Sequence, residues 1–201
     1  MKTTFINLLL LSFLLSCTAS KPSSEVTRKE LGNPPGTQKI AENLYLDQAE
    51  IRNLDYLEFL HWMKAVHGTN SAEYKAIYPD SNIWNSLIGG IAPDSNYLSH
   101  PLYRNLGVLG VSNKQAQEFA KWRSDRVMEF ILIKYGVLTH KKEIRKESAF
   151  TIEKYFSGQH DTVKPNAYLL YYPEYKLLNT SQDTRTGFKN ICSYKKWEPQ
   201  K

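Results

Sequence analysis

The chain is poor in the residues that most often advertise chemistry. Its 201 residues include only two cysteines, Cys17 and Cys192, and five histidines. No GxSxG elbow, HExxH pair or glycine-rich phosphate loop occurs in it, which removes the common serine-hydrolase, zincin and phosphate-loop classes on motif grounds. The apolar run Phe5 to Leu15 is too short to span a bilayer. The net charge of +6 is basic without being extreme. Lys141, Lys142, Arg145 and Lys146 form the one dense basic cluster, with no helix-turn-helix or aromatic strand pattern beside it, so nucleic acid is not an expected partner. That cluster reads first as a solvated loop; contact with anionic lipid or glycan is its sharper reading.

What is present begins at the amino terminus. Met1-Lys2 and the run Phe5–Leu15 have the layout of a signal peptide. The run closes on Leu14-Leu15-Ser16-Cys17, which resembles a bacterial lipobox, so Cys17 is the expected lipidation site and residues 1–16 the expected signal peptide. The stretch 17–36 is polar and rich in Pro and Ser, as in a flexible tether. No acidic cluster follows Cys17, which favours the periplasmic face of the outer membrane. Loss of Lys2 with the leader leaves a mature charge of about +5. With Cys17 lipidated, Cys192 has no partner in the chain, and no disulfide is expected. The remaining ~180 residues suffice for one core, so residues 37–201 read as a single domain.

The stretch His100–Gly136 organises that domain. Val108-Leu109-Gly110-Val111 reads as a short buried strand feeding a long helix. Ser112 is the natural N-cap and Gln115 completes a capping box. Ala116, Phe119, Ala120, Val127, Phe130 and Ile131 make one apolar face, and Trp122 reads as core. Glu118, Lys121, Asp125, Arg126 and Glu129 make a charged outer side, and Gly136 ends the helix.

Upstream, Ile40–Asp47 reads as a half-buried strand in which Leu44 and Leu46 alternate with Tyr45 and Asp47. Asn53 is the expected cap of a second helix to about Val66, with Tyr56, Phe59, Leu60, Met63 and Val66 inward and Gly68 as its end. His61 and His67 lie six apart and lack the i,i+4 geometry of a zinc pair. His100, before Pro101, reads as a loop residue with a local ring hydrogen bond. Glu50, Glu58 and Asp125 have no sequence-evident acid–base partner, and salt bridges or caps account for them.

HPLYRNLGVLGVSNKQAQEFAKWRSDRV resembles a segment of formylglycine-generating-enzyme (sulfatase-modifying-factor) domains, and the run Trp122–Val127 resembles the gliding-motility-type lipoproteins of Bacteroidetes. NLYLDQAEIRNLDYLEFLHW, Tyr78–Trp84, Phe150–Gln159, Tyr172–Leu177 and Thr186–Cys192 are similar to further family segments. Gly107 stands where the family usually has Pro, Ala120 where many members have Cys, and Arg52 where Thr is usual. Leu178-Asn179 replaces Pro-Thr, and a large block is missing near 178–185.

The resemblance implies an α+β domain, a shortened C-type-lectin-like (sulfatase-modifying-factor) fold with two main helices and short strands. It also implies what is lost. Family members resemble copper oxidases that use a cysteine pair, since thiolates select Cu(I). That pair falls in the missing block, so no catalytic, cofactor or metal residue is assigned and the enzyme question leans towards no. The expectation is a non-catalytic, outer-membrane-anchored lipoprotein acting by protein or glycan contacts. The alternatives are a formylglycine-generating-type oxidase or a degenerate copy without settled function.

Overall fold

The computed structural model describes residues 20–84, 97–141, 143, 145–161, 163–179 and 183–198. Cys17 and the leader lie outside the described residues. The architecture is α+β, with one four-stranded antiparallel sheet and two principal helices. Strands β1 (Thr37–Ala41), β2 (Leu44–Asp47), β3 (Tyr171–Leu177) and β4 (Asn190–Lys196) lie in the order β1-β2-β4-β3. Among the described residues the α-helical elements resolved at both ends are α1 (Arg28–Leu31), α2 (Asn53–His67), α3 (Ala72–Ala76), α4 (Asn113–Lys134) and α5 (Ile152–Phe156).

Each helix starts where a side chain can satisfy an orphan backbone N–H. Thr27, Ser71 and Thr151 accept from the backbone amides of Glu30, Tyr74 and Lys154. Ser112 and Gln115 form the expected reciprocal box at α4. At α2 the N-cap is Arg52, one residue before Asn53, and its backbone N–H is held by Asp55. Asn53 is fully buried and donates from its side-chain amide to the carbonyl oxygens of Tyr97 and Tyr103, a loop-fastening role. Gly68 and Gly136 follow α2 and α4 with positive φ, as expected.

Two apolar clusters meet along α4. One joins the sheet, α5 and the second half of α4, through Tyr45, Met128, Leu132, Phe150, Tyr155, Tyr175 and Cys192. The other joins α2 and the first half of α4, through Tyr56, Phe59, Trp84, Val108, Val111, Phe119 and Phe188.

Several expectations are corrected. Val108, Gly110 and Val111 are buried, but the stretch forms no strand: Val108 N–H donates to Ile51, Gly110 N–H to Arg185, and Gly110 accepts from Asp80. Gly110 has φ +84, and a Cβ there would lie 2.4 Å from the Asp80 carbonyl oxygen. In β2 the buried residues are Tyr45 and Asp47, with Leu44 and Leu46 half-buried, because Asp47 is drawn inward by an arginine on α4. Phe130 is 58 % exposed. It lies only about 20° around the axis from Phe119, but the α2 rings of Tyr56 and Phe59 pack on Phe119. Asp125 is buried and Arg126 largely so, not outward. The stretch expected as tether is built into the fold from Val26 onward: Val26 is buried, its N–H donates to Tyr168, and α1 follows. Met63 is half-buried against the core.

Near the expected internal shortening, β3 and β4 pair directly over seven register partners, Tyr171↔Lys196 to Leu177↔Asn190. Residues 180–182 in the connection lie outside the described set.

Candidate functional site: the Trp122–Val127 hub and its groove

Successive residues of the run Trp122–Val127 join α4 to different parts of the molecule. Arg123 donates from Nη1 to both carboxylate oxygens of buried Asp47 of β2, at 2.8 and 3.0 Å, and from Nη2 to the Pro35 carbonyl. Its guanidinium lies 4.2 Å from the Tyr175 ring centroid. Asp47 also accepts the Asn190 N–H at 2.7 Å. Burial pushes the Asp47 carboxyl upward, against the pull of Arg123 and the Asn190 amide. Ser124 accepts the edge-facing N–H of Tyr175 and donates to Ala120. That contact covers one sheet edge with a helix.

Asp125 accepts the Ile152 N–H at 2.8 Å, where α5 begins. Burial raises its carboxyl to about 6, although the Ile152 amide and the Arg126 and Lys121 charges oppose the rise. Arg126 donates to the Phe150 carbonyl and to Glu129 and sits 4.8 Å from the Trp62 ring centroid. Val127 is buried in the sheet-side cluster.

Trp122 stands between two concavities. On one side, α2, α3 and the first half of α4 enclose an apolar groove of about 370 Å³ with Phe59, Trp62, Met63, Ile77 and Trp122 as its walls. The Phe59 and Trp122 ring centroids are 5.3 Å apart. Lys114, Glu118 and Lys121 line it from α4, and His67 and Glu73 from the facing side. The indole N–H groups of Trp62 and Trp122 are buried without a hydrogen-bond acceptor. A concavity of this size, mostly apolar with a few polar groups, suits ligand contact.

The second concavity, about 390 Å³, is lined by charges that largely pair within the protein. Arg52 grips Asp55 and Arg123 grips Asp47. Glu50 packs beside two glycines: a Cβ on Gly107 or Gly187 would come within 2.8 or 2.9 Å of its carboxylate. Glu58 lines the same cleft and is exposed.

The remaining candidates stay apart. His61 is exposed, His67 lies 3.8 Å from Glu73, and His100 accepts the Leu102 N–H with its ring Nδ1 at 3.2 Å, the local bond expected. In the basic loop, Lys141 pairs with Asp161 and Arg145 with Glu143, while Lys142 lies outside the described residues. Cys192 is 1 % exposed on β4 beside Tyr175, and burial pushes its thiol up to about 12. A lone, buried thiol held protonated does not fit a two-thiolate copper centre. Among the described residues, no group of three or more His, Cys, Asp or Glu side chains is placed to hold a metal ion, and no helix is long and apolar enough to cross a membrane.

The sequence reading missed the groove because its walls come from three elements. Trp122 looked like core, yet it is only half-buried and borders both concavities. Trp62 carried no local signal beyond its residue type. No family model, curated protein or solved structure matches the chain.

Proposed function

We propose that the chain is a non-catalytic outer-membrane lipoprotein, anchored by lipid at Cys17, with a shortened sulfatase-modifying-factor-type domain acting through protein or glycan contacts in the cell envelope. The contact role rests on the groove between α2 and α4, an open apolar concavity bordered by mixed charge. The anchor rests on the run Leu14–Cys17. The buried, protonated Cys192 supports the non-catalytic reading, since thiol chemistry needs an accessible thiolate.

The test has two arms. Growth with a clickable fatty acid should label the wild type and leave Cys17→Ser unlabelled; equal labelling of both removes the anchor. Purified protein with copper and oxygen should leave a cysteine-containing sulfatase peptide unchanged. A formylglycine mass shift in that peptide, with tight copper retention, would replace the present reading by an oxidase.

A further inference from the structure

α4 is a strut. Its 22 residues extend about 33 Å at 1.5 Å per residue, and its two ends serve different purposes. Lys114, Gln115, Glu118 and Lys121 of its first half line the apolar groove. Its other end, Lys134 and Tyr135, lies beside the amino-terminal entry to the fold, where Leu31 and Tyr135 pack against the sheet-side cluster.

On the reading that Cys17 carries the lipid anchor, the reach of the chain after it sets what that second end faces. The first packed residue is Val26. The nine residue steps from Cys17 to Val26 reach at most about 30 Å fully extended, and a flexible chain of that length averages about 16 Å. The pole around Val26 is therefore held near the bilayer surface, and the groove is held beyond it by the length of α4.

The chemistry of that pole agrees with a lipid surface. Arg28 and Lys29 of α1, Lys39 of β1 and Tyr171 of β3 line one shallow depression. Lys196 continues it, lying 5.6 Å from the Tyr171 ring centroid. Exposed Lys134 ends α4 over the ring of Tyr135, which feels the charge of Glu30 on α1. Opposing acids are present: Glu25 pairs with Lys196 and Glu42 with Arg28, while Glu30 is held by Thr27. Lys29, Lys39 and Lys134 have no carboxylate within salt-bridge distance among the described residues. Basic side chains near a bilayer are attracted by anionic headgroups over about a Debye length.

We propose that the pole formed by α1, β1 and the carboxyl end of α4 lies on an anionic phospholipid surface, with Lys29, Lys39 and Lys134 meeting the headgroups. The domain then stands on the membrane with its groove directed away from it.

The test uses residues 18–201, which contain every described element and no acyl chain. Flotation with phosphatidylglycerol vesicles at low salt should carry the protein, and phosphatidylcholine vesicles should not. Lys29→Glu/Lys39→Glu should weaken the phosphatidylglycerol affinity at least about tenfold, and Lys114→Glu/Lys121→Glu at the groove end should leave it within about twofold. Circular dichroism checks that both variants fold. Failure to float with phosphatidylglycerol, equal loss in both variants, or binding that persists undiminished at high salt would overturn the proposal. Fatty-acid labelling is read separately: a labelled protein whose residues 18–201 ignore anionic vesicles keeps its anchor and loses this face, and the converse result keeps the face alone.

Discussion

Asp125 is a buried carboxylate whose removal is informative. Its carboxylate is buried under α5 and accepts one backbone N–H, so the charged form is poorly solvated. With its folded value raised to about 6, the folded state binds the proton more tightly than the unfolded chain does. The resulting stability is full below about pH 4 and is lost as pH rises through about 6. Asp125→Asn keeps an acceptor for the Ile152 amide and cannot ionise. We expect the variant to gain on the order of 2–3 kcal/mol at pH 7, and to gain little near pH 4. Urea unfolding across that range measures the difference, and His160, whose buried ring is shifted downward, cancels because both proteins contain it. Asp47 differs from Asp125 at the same scale: it too is buried, but one arginine nitrogen shared by both its oxygens and a backbone amide meet its charge.

Among the elements, α4 should report its packing through two phenylalanines on nearly the same side. Phe119 is 1 % exposed and sits within ring contact of Tyr56, Phe59, Trp122 and Phe188. Phe119→Ala should cost about 3–5 kcal/mol, and Phe130→Ala, at an exposed site, less than about 0.5 kcal/mol; equilibrium denaturation gives both numbers. The pair also shows what was legible. The capping box of Ser112 and Gln115, the stops at Gly68 and Gly136, and the helices themselves are decided by neighbours within four residues, so the sequence displays them. Phe130 could not be placed without knowing where α2 ends against α4. Asp47 points inward because Arg123 waits 76 positions away, and no alternation rule contains that information. Val108–Val111 has the composition of a strand but meets loop backbone on both sides. The groove was illegible for the same reason: three elements make it, and none of them carries it alone.

At the scale of the molecule, the two apolar clusters share α4 as a common wall, so neither is complete without it. We expect one cooperative transition. Trp62, Trp84 and Trp122 report the groove-side cluster and Trp197 the sheet side, where it stacks on Phe156. Fluorescence of a Trp197→Phe variant should therefore follow the groove half, and far-ultraviolet circular dichroism the whole. Coincident midpoints and slopes are the expected result; separated transitions would mean that the strut is broken near its middle.

The strand order has a further consequence, for the timing of assembly. Among the described strands β4 comes latest in sequence but lies inside the sheet, where it pairs with both β2 and β3. A ribosome delivers the chain from its amino end, so β1, β2 and α2 emerge long before Asn190. Until residues 190–196 arrive, β1–β2 and β3 are fragments without a shared ladder, and Asp47 lacks the Asn190 amide that its carboxylate accepts. The sheet thus closes only once residues 190–196 have paired with β2 and β3. A growing chain therefore cannot lock this sheet until Asn190–Lys196 has emerged.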